Sequence, residues 1–292
     1  MGMTDNTKML IKALSENNII AAKKCAIACM SEDTTAKNAH FVDRYKPILE
    51  NSSSIIELPA NIKYKVEALD MSTLFKENRY YLNDDCSKIV DNIIKMRTVS
   101  SKLAELEIPY LNSTLLYGES GTGKTTLAKY IAYKLNLPYI YLNFSQIIES
   151  YMGKTSSSLG HIFTYVRANP CVFMIDEIDA IGIRRSQSSN SGPDGEMNRV
   201  IITLMQELDK LPNDTILIAA TNRLDMIDEA LRRRFTTEAL LKRPSEEEKQ
   251  LIAKKYIDSV PYDFEIDLSD CNTQSDVVTK VIQKIADKII EE

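Results

Sequence analysis

The sequence contains no tryptophan, two histidines, and five cysteines at irregular spacing in 292 residues. An odd, scattered set of thiols argues for a reducing compartment rather than a disulfide framework, and a cytoplasmic location is the expectation. Cys25 and Cys29 share a helix face, but no second Cys or His pair completes a four-ligand metal set. The thiols therefore read as small packing groups, and His40 and His161 as ordinary packing or surface residues. No run approaches the ~18 apolar residues of a membrane span. The N-terminus lacks the basic and apolar blocks of a secretory signal, and Asn6 stands where a myristoylation signal requires Ser or Thr. Basic excess is absent too: 36 Lys and Arg face 41 Asp and Glu, a net charge of −5. That balance disfavours a nucleic-acid partner. Beyond Pro244, twelve acids against six lysines concentrate the negative charge.

What is present is more specific. The chain is 44% hydrophobic, enough for a core at a length compatible with about two domains. Gly118-Glu119-Ser120-Gly121-Thr122-Gly123-Lys124-Thr125 is a complete G-x-x-x-x-G-K-[ST] loop, followed by Thr126. Such a loop wraps backbone N–H groups around the phosphates of a nucleoside triphosphate. Lys124 would reach the β- and γ-phosphates, and the Thr125 hydroxyl would sit on Mg²⁺. Apolar Thr114–Tyr117 precedes the loop, and Leu127, Ala128, Ile131 and Leu135 follow at helical spacing. Strand, glycine loop and helix are the context this mechanism needs, because a helix N-terminus adds positive potential at the phosphates.

Residues 1–50 read as an N-terminal module of short helices, either packing or docking a partner. Residues 51–84 read as a linker and lead-in: Ser52-Ser53-Ser54 signals a linker, and Ile55–Tyr81 is ambiguous around Pro59. Residues 85–244 read as an α/β core. It opens with a helix over Asp85–Glu107, and strand and helix patterns alternate from Ser113 onward, the signature of a parallel sheet covered by helices. Residues 245–292 carry two helical patterns, near Glu246–Ser259 and from Gln274, and read as a small lid.

Val172-Phe173-Met174-Ile175-Asp176-Glu177 is a buried strand with two carboxylates at its C-terminal end, where ligands collect in open α/β sheets. Asp176 would hold the Mg²⁺ shell, and Glu177 would act as general base on the attacking water. Thr215–Asn222 is a further apolar strand. Its terminal Asn222 either meets the γ-phosphate or the water, or makes a turn. Arg232-Arg233-Arg234-Phe235 follows a short helical stretch.

Phosphate loop, Asp-Glu strand, Thr-Asn strand and Arg-rich segment, in that order, resemble the AAA ATPases. The phrases Ile175-Asp176-Glu177-Ile178-Asp179-Ala180-Ile181-Gly182 and Ala219-Ala220-Thr221-Asn222-Arg223 carry the resemblance, which covers roughly Tyr80–Glu292. It implies a three-layer α/β/α domain with a helical lid, ATP and Mg²⁺ as ligands, ATP hydrolysis, and a homo-oligomeric ring, usually of six subunits. It also implies that Asn222 is a sensor residue, that Arg233 and Arg234 are arginine fingers reaching a neighbour's ATP, and that Tyr151-Met152-Gly153 is a pore loop gripping a protein substrate. The segment Arg184–Glu196 falls where a second pore loop would lie.

Several positions depart from the family pattern. Glu119-Ser120 replaces two prolines. Arg232–Phe235 lacks a Pro-Gly insertion and is similar to the microtubule-severing and membrane-remodelling branch, leaving the fingers' register open among Arg232, Arg233 and Arg234. Tyr80–Asp84 replaces an Asp-Ile-Gly stretch, and no Gly-Ala precedes Asp276. Three activities follow as readings: a ring motor threading protein, an ATP-driven switch controlling a partner protein, and, disfavoured by charge, a nucleic-acid translocase or loader.

Overall fold

The computed structural model describes residues 3–16, 18–33, 35, 37–50, 56, 58–150, 155–180 and 193–291. The N-terminal helices are α1 (Asp5–Ser15), α2 (Ile19–Glu32) and α3 (Ala39–Glu50). Asn18 caps α2 by accepting from the Ala21 amide at 3.0 Å. The same buried side chain donates to the Asn136 carbonyl at 3.4 Å, so this turn rests on the core.

The ambiguous lead-in forms β1 (Glu67–Leu69), a single turn α4 (Met71–Leu74) and a 3₁₀ turn at Glu77–Arg79. Next come α5 (Asp84–Glu105), β2 (Asn112–Tyr117), α6 (Lys124–Leu135), β3 (Tyr139–Asn143), α7 (Phe144–Ser150), α8 (Thr155–Ala168) and β4 (Val172–Asp176). After residues 181–192, which lie outside the described set, come α9 (Pro193–Leu208), β5 (Ile216–Thr221), α10 (Glu229–Arg232) and β6 (Thr237–Leu240). The C-terminal helices are α11 (Glu246–Ile257) and α12 (Gln274–Glu291).

The six strands run in the order β1-β3-β4-β5-β2-β6. Five are parallel, as the alternating pattern predicts. The edge strand β1 is antiparallel to β3, with Glu67 opposite Tyr141. The sheet is therefore mixed rather than purely parallel.

Alternation along each strand builds the layers, because successive side chains leave opposite faces. On β4, Phe173 and Ile175 join one apolar cluster, and Val172 and Met174 join the other. β2 divides Leu115 from Leu116 in the same way. Helices α8 and α9 cover the first face through Leu159, Phe163, Val200 and Leu204. α6 covers the second through Leu127, Ala128 and Ile131. This is the expected α/β/α arrangement.

The lid has its own small core of Ile252, Ala253, Leu268, Val277 and Val281. α11 begins with a capping box in which the Ser245 hydroxyl and the Glu248 carboxylate satisfy each other's backbone amides. Its first turn is acidic and its last turn basic, matching the helix dipole. Cys171 and Cys271 are buried and the other three thiols half-buried, while His40 and His161 are exposed.

Candidate functional site

The parallel strands bring three sequence-distant groups to one end of the sheet. From the loop after β2, Lys124 starts α6 with its ammonium folded back. Nζ donates to the Gly118 and Glu119 carbonyls at 2.8 Å each, and to Asn222 Oδ1 at 2.7 Å. Burial pushes the Lys124 pKa down, and the charges of Asp176 and Asp179 act in the opposite sense. Thr125 Oγ1 donates to Asp176 Oδ2 at 2.8 Å, joining α6 to the end of β4. Asn222, just past β5, thus turns its carboxamide toward the phosphate loop rather than into a local turn.

Asp176 is held from several sides. Its Oδ1 accepts the Glu177 amide at 2.9 Å, and its Oδ2 also receives the Tyr141 hydroxyl at 3.4 Å. Burial, reinforced by the Asp176 charge, pushes Tyr141 up to about 12, so it remains a donor. Glu177 is exposed and sits at φ +55°. A left-handed conformation in a non-glycine residue is uncommon and is often stored at functional sites. Below the pair, Asp179 is buried and accepts from Thr221 Oγ1 at 2.8 Å, tying the turn after β4 to β5.

The loop's glycines are required by their backbone conformation, and the lid crowds them. Gly121 and Gly123 have φ +78° and +93°, and a Cβ on either would meet lid side chains. At Gly121 the nearest atom would be Thr273 Oγ1 at 2.7 Å, and at Gly123 it would be Gln274 Oε1 at 2.2 Å. The Ser275 amide donates to the Gly121 carbonyl at 3.1 Å. The first turn of α12 therefore rests directly on the loop. Glu119, one of the departures from the family pattern, accepts from Arg243 Nε at 2.8 Å, just ahead of the lid.

Around these groups lies a cleft of about 680 Å³, lined by Ser120, Gly121, Gly123, Lys124, Thr125, Thr126, Asp176, Glu177 and Asn222 from the core. The lead-in contributes Phe75, Lys76, Arg79 and Tyr80, and the lid contributes Tyr256, Gln274, Ser275, Val278, Thr279 and Ile282. A neighbouring cavity of about 280 Å³ is bounded by Tyr80, Tyr81, Cys86, Thr122, Ile252 and Gln274.

The donor set fits a magnesium-bound triphosphate. A glycine-rich backbone with two left-handed glycines, a lysine and a helix N-terminus suits phosphate oxygens. A hydroxyl and a carboxylate 2.8 Å apart suit a hard cation that keeps water and phosphate in its shell. Among the described residues no three His, Cys, Asp or Glu side chains converge as a metal cage.

The arginines stand apart from the cleft, and none of Arg232, Arg233 and Arg234 lines it. Arg232 binds Glu238 through two bonds, at 2.9 and 2.7 Å. Arg234 binds Asp209 the same way, at 2.8 and 2.9 Å, and also donates to the Ala230 carbonyl at 2.8 Å. Among the described residues Arg233 pairs only with Glu229, both side chains about three-quarters exposed. Tyr151 and Met152 lie outside the described residues, as does most of the second candidate loop, so the structure gives no geometry for either. The sequence reading missed Tyr141, Lys76 and Arg79, which carry no local motif, and the side-chain contact of Gln274 with Gly123.

Comparison with known proteins agrees with this geometry. Residues 114–243 match the family model described as "ATPase family associated with various cellular activities (AAA)". Proteasome-activating nucleotidase 1 of Haloferax volcanii is 34% identical over 189 residues, 63% of this chain and 44% of that protein. An ATP-dependent zinc metalloprotease FtsH 1 of Thermomicrobium roseum is 31% identical over 197 residues, 66% of this chain and 30% of that protein. A 26S proteasome regulatory subunit 8 homolog of Schizosaccharomyces pombe is 35% identical over 150 residues, 50% of this chain and 37% of that protein. The chain thus spans less than half the length of these relatives. Residues 114–243 are therefore an AAA-type ATPase domain.

Proposed function

We propose that this chain hydrolyses ATP as one subunit of a ring, six-membered by analogy with its family, and spends the cycle on moving a protein substrate. The carrying observation is the convergence of two hydrogen-bonded pairs, Lys124 with Asn222 and Thr125 with Asp176, at the ends of three strands. Lys124 and the loop amides bind and orient the phosphates. Thr125 and Asp176 hold Mg²⁺, which supplies positive charge to the phosphate oxygens. Glu177 takes the proton of the attacking water on its carboxylate. Asn222 orients the water or the terminal phosphate. The base would take the smaller cavity, whose lining includes Tyr80, Tyr81 and Ile252. Arg233 and Arg234 serve the neighbouring subunit, which their separation from their own cleft supports.

Three relatives are named for proteasomal or proteolytic work, which supports a protein as the substrate class. The sequence contains no H-E-x-x-H, so the zinc-protease chemistry in the FtsH name has no such motif here. In this reading Tyr151 and Met152 grip the polypeptide and the N-terminal helices dock it. The same names support a second reading, an ATP-driven switch on a partner protease. Tyr151→Ala separates the two: a motor loses substrate remodelling, and a switch keeps partner control.

The shared-site reading is tested by mixing two inactive proteins, Lys124→Ala and the double variant Arg233→Ala, Arg234→Ala. Interfaces pairing an intact cleft with intact arginines restore hydrolysis. Mixed assemblies that form and stay inactive would refute it.

A further inference from the structure

The stretch Phe75–Arg79, between β1 and α5, has no role in the ATPase machinery proposed for this chain, yet it walls the same cleft. It is fixed to the helix that carries the phosphate lysine. The Phe75 ring meets those of Tyr80, Tyr130 and Tyr133 at 5.4, 5.6 and 5.4 Å. Glu77 accepts from the Tyr133 hydroxyl at 3.0 Å and from Lys134 at 3.3 Å. Tyr130, Tyr133 and Lys134 all belong to α6, so this strap is packed and hydrogen-bonded against the helix behind the phosphate loop.

On its other side the strap touches the lid. Arg79 Nε donates to Ser259 Oγ at 2.9 Å, just beyond the end of α11. The remaining guanidinium nitrogens have no partner among the described residues, and Arg79 lines the cleft beside Lys76. A planar guanidinium can bond two acceptors at once in fixed geometry, and phosphate is a preferred one. Three cations, Lys76, Arg79 and Lys124, then face two carboxylates, Asp176 and Glu177, around this cleft.

We propose that Arg79 is a nucleotide-contacting residue supplied from within the same subunit, its terminal N–H groups on the phosphate chain while Nε holds the lid at Ser259. This deepens the ATPase reading and rests on it. Phosphate chain, strap and lid thereby meet at one side chain, so lid position and nucleotide grip are coupled. The interaction is present wherever the phosphates are bound, so it strengthens binding more than it speeds the chemical step.

The test uses the full chain, Mg²⁺ and a fluorescent N-methylanthraniloyl ATP. Arg79→Ala and Arg79→Gln weaken binding about tenfold, the scale of a lost hydrogen bond to a charged group. Arg79→Lys recovers part of the loss. Ser259→Ala keeps the cation and removes the lid tie together with the hydroxyl's own bond to the Tyr256 carbonyl, so its affinity stays within about twofold of wild type while kcat falls. Arg79 is exposed, and thermal melts check that the variants fold. Equal losses in Ser259→Ala and Arg79→Ala overturn the proposal, because Arg79 would then act only through the lid. So does unchanged binding by Arg79→Ala where Lys124→Ala binds poorly. Failure of the wild type to bind the probe at all sinks the ATPase reading as well.

Discussion

Lys124 Nζ lies 2.7 Å from Asn222 Oδ1, across 98 positions of sequence. Its two other partners among the described residues are carbonyls of its own loop, so all three of these acceptors are neutral oxygens. An ammonium held in this way is a ready partner for phosphate oxygens, which carry full charge and bind it more strongly. Lys124→Ala should therefore abolish measurable nucleotide binding in a fluorescence titration. Asn222→Ala should leave binding within a few-fold of wild type and lower kcat on the order of 10²-fold, the scale of one lost transition-state hydrogen bond. A matching rise in KM with kcat untouched would assign Asn222 to ground-state binding instead.

The parts of the site that were legible in sequence are those whose local chemistry is self-sufficient. The phosphate loop needs its own glycines, lysine and threonine. β4 and β5 are apolar runs, Val-Phe-Met-Ile and Ile-Leu-Ile-Ala-Ala, buried on both faces, and such runs declare themselves as central strands. β1 did not. Its three residues, Glu-Ala-Leu, have no strand pattern, and only pairing with Tyr139–Tyr141 makes them a strand. The strap was invisible for the same reason. Arg79 and Ser259 are 180 residues apart, and no spacing rule joins them. Gln274 was read only as the start of a helical pattern, and its contact with Gly123 exists because α12 folds back on the loop.

The three consecutive arginines should separate experimentally according to their partners. Arg233 is the most exposed of the three and, among the described residues, bonds only the exposed Glu229, so it is the freest to reach another subunit. Arg233→Ala should cost about 10³-fold or more in kcat, the scale of an arginine finger, with assembly intact by size-exclusion chromatography. Arg232 braces β6 through Glu238. Arg232→Ala should lower the melting temperature and leave kcat, measured on the folded fraction, within about threefold. A reversal of these two outcomes would move the finger register by one residue.

Glu207 joins the two helices on one face of the sheet. On α9, it accepts from Arg167 of α8 and from Lys210 at 2.8 Å. Burial pushes its pKa up, but the hydrogen bonds from Lys210 and Arg167, with their charges, outweigh burial and hold the carboxyl below its usual value. A folded-state pKa below the unfolded one gives stability that is present above about pH 4.3 and is lost as pH falls through the lower folded value. Glu207→Gln should cost about 1–2 kcal/mol at pH 7. In urea melts the gap between variant and wild type should narrow below about pH 4. A gap independent of pH would mean that the side chain acts by packing rather than by charge.

Gly123 carries two demands at once, and its substitution should expose both. Its φ of +93° disfavours any side chain, and a Cβ would displace the Gln274 carboxamide, whose Oε1 lies 2.2 Å from that position. Backbone strain alone predicts a loss of about 1–2 kcal/mol for Gly123→Ala. Displacement of Gln274 predicts something further: the first turn of α12, tied to the loop by the Ser275–Gly121 bond, should loosen, and its amides should exchange faster with deuterium. The double variant Gly123→Ala, Gln274→Ala removes the clash but not the strain. It should restore the exchange protection of α12 and leave the loss of stability largely in place. If protection stays low in the double variant, the lid is held by the loop's backbone conformation and not by the fit of Gln274 against Gly123.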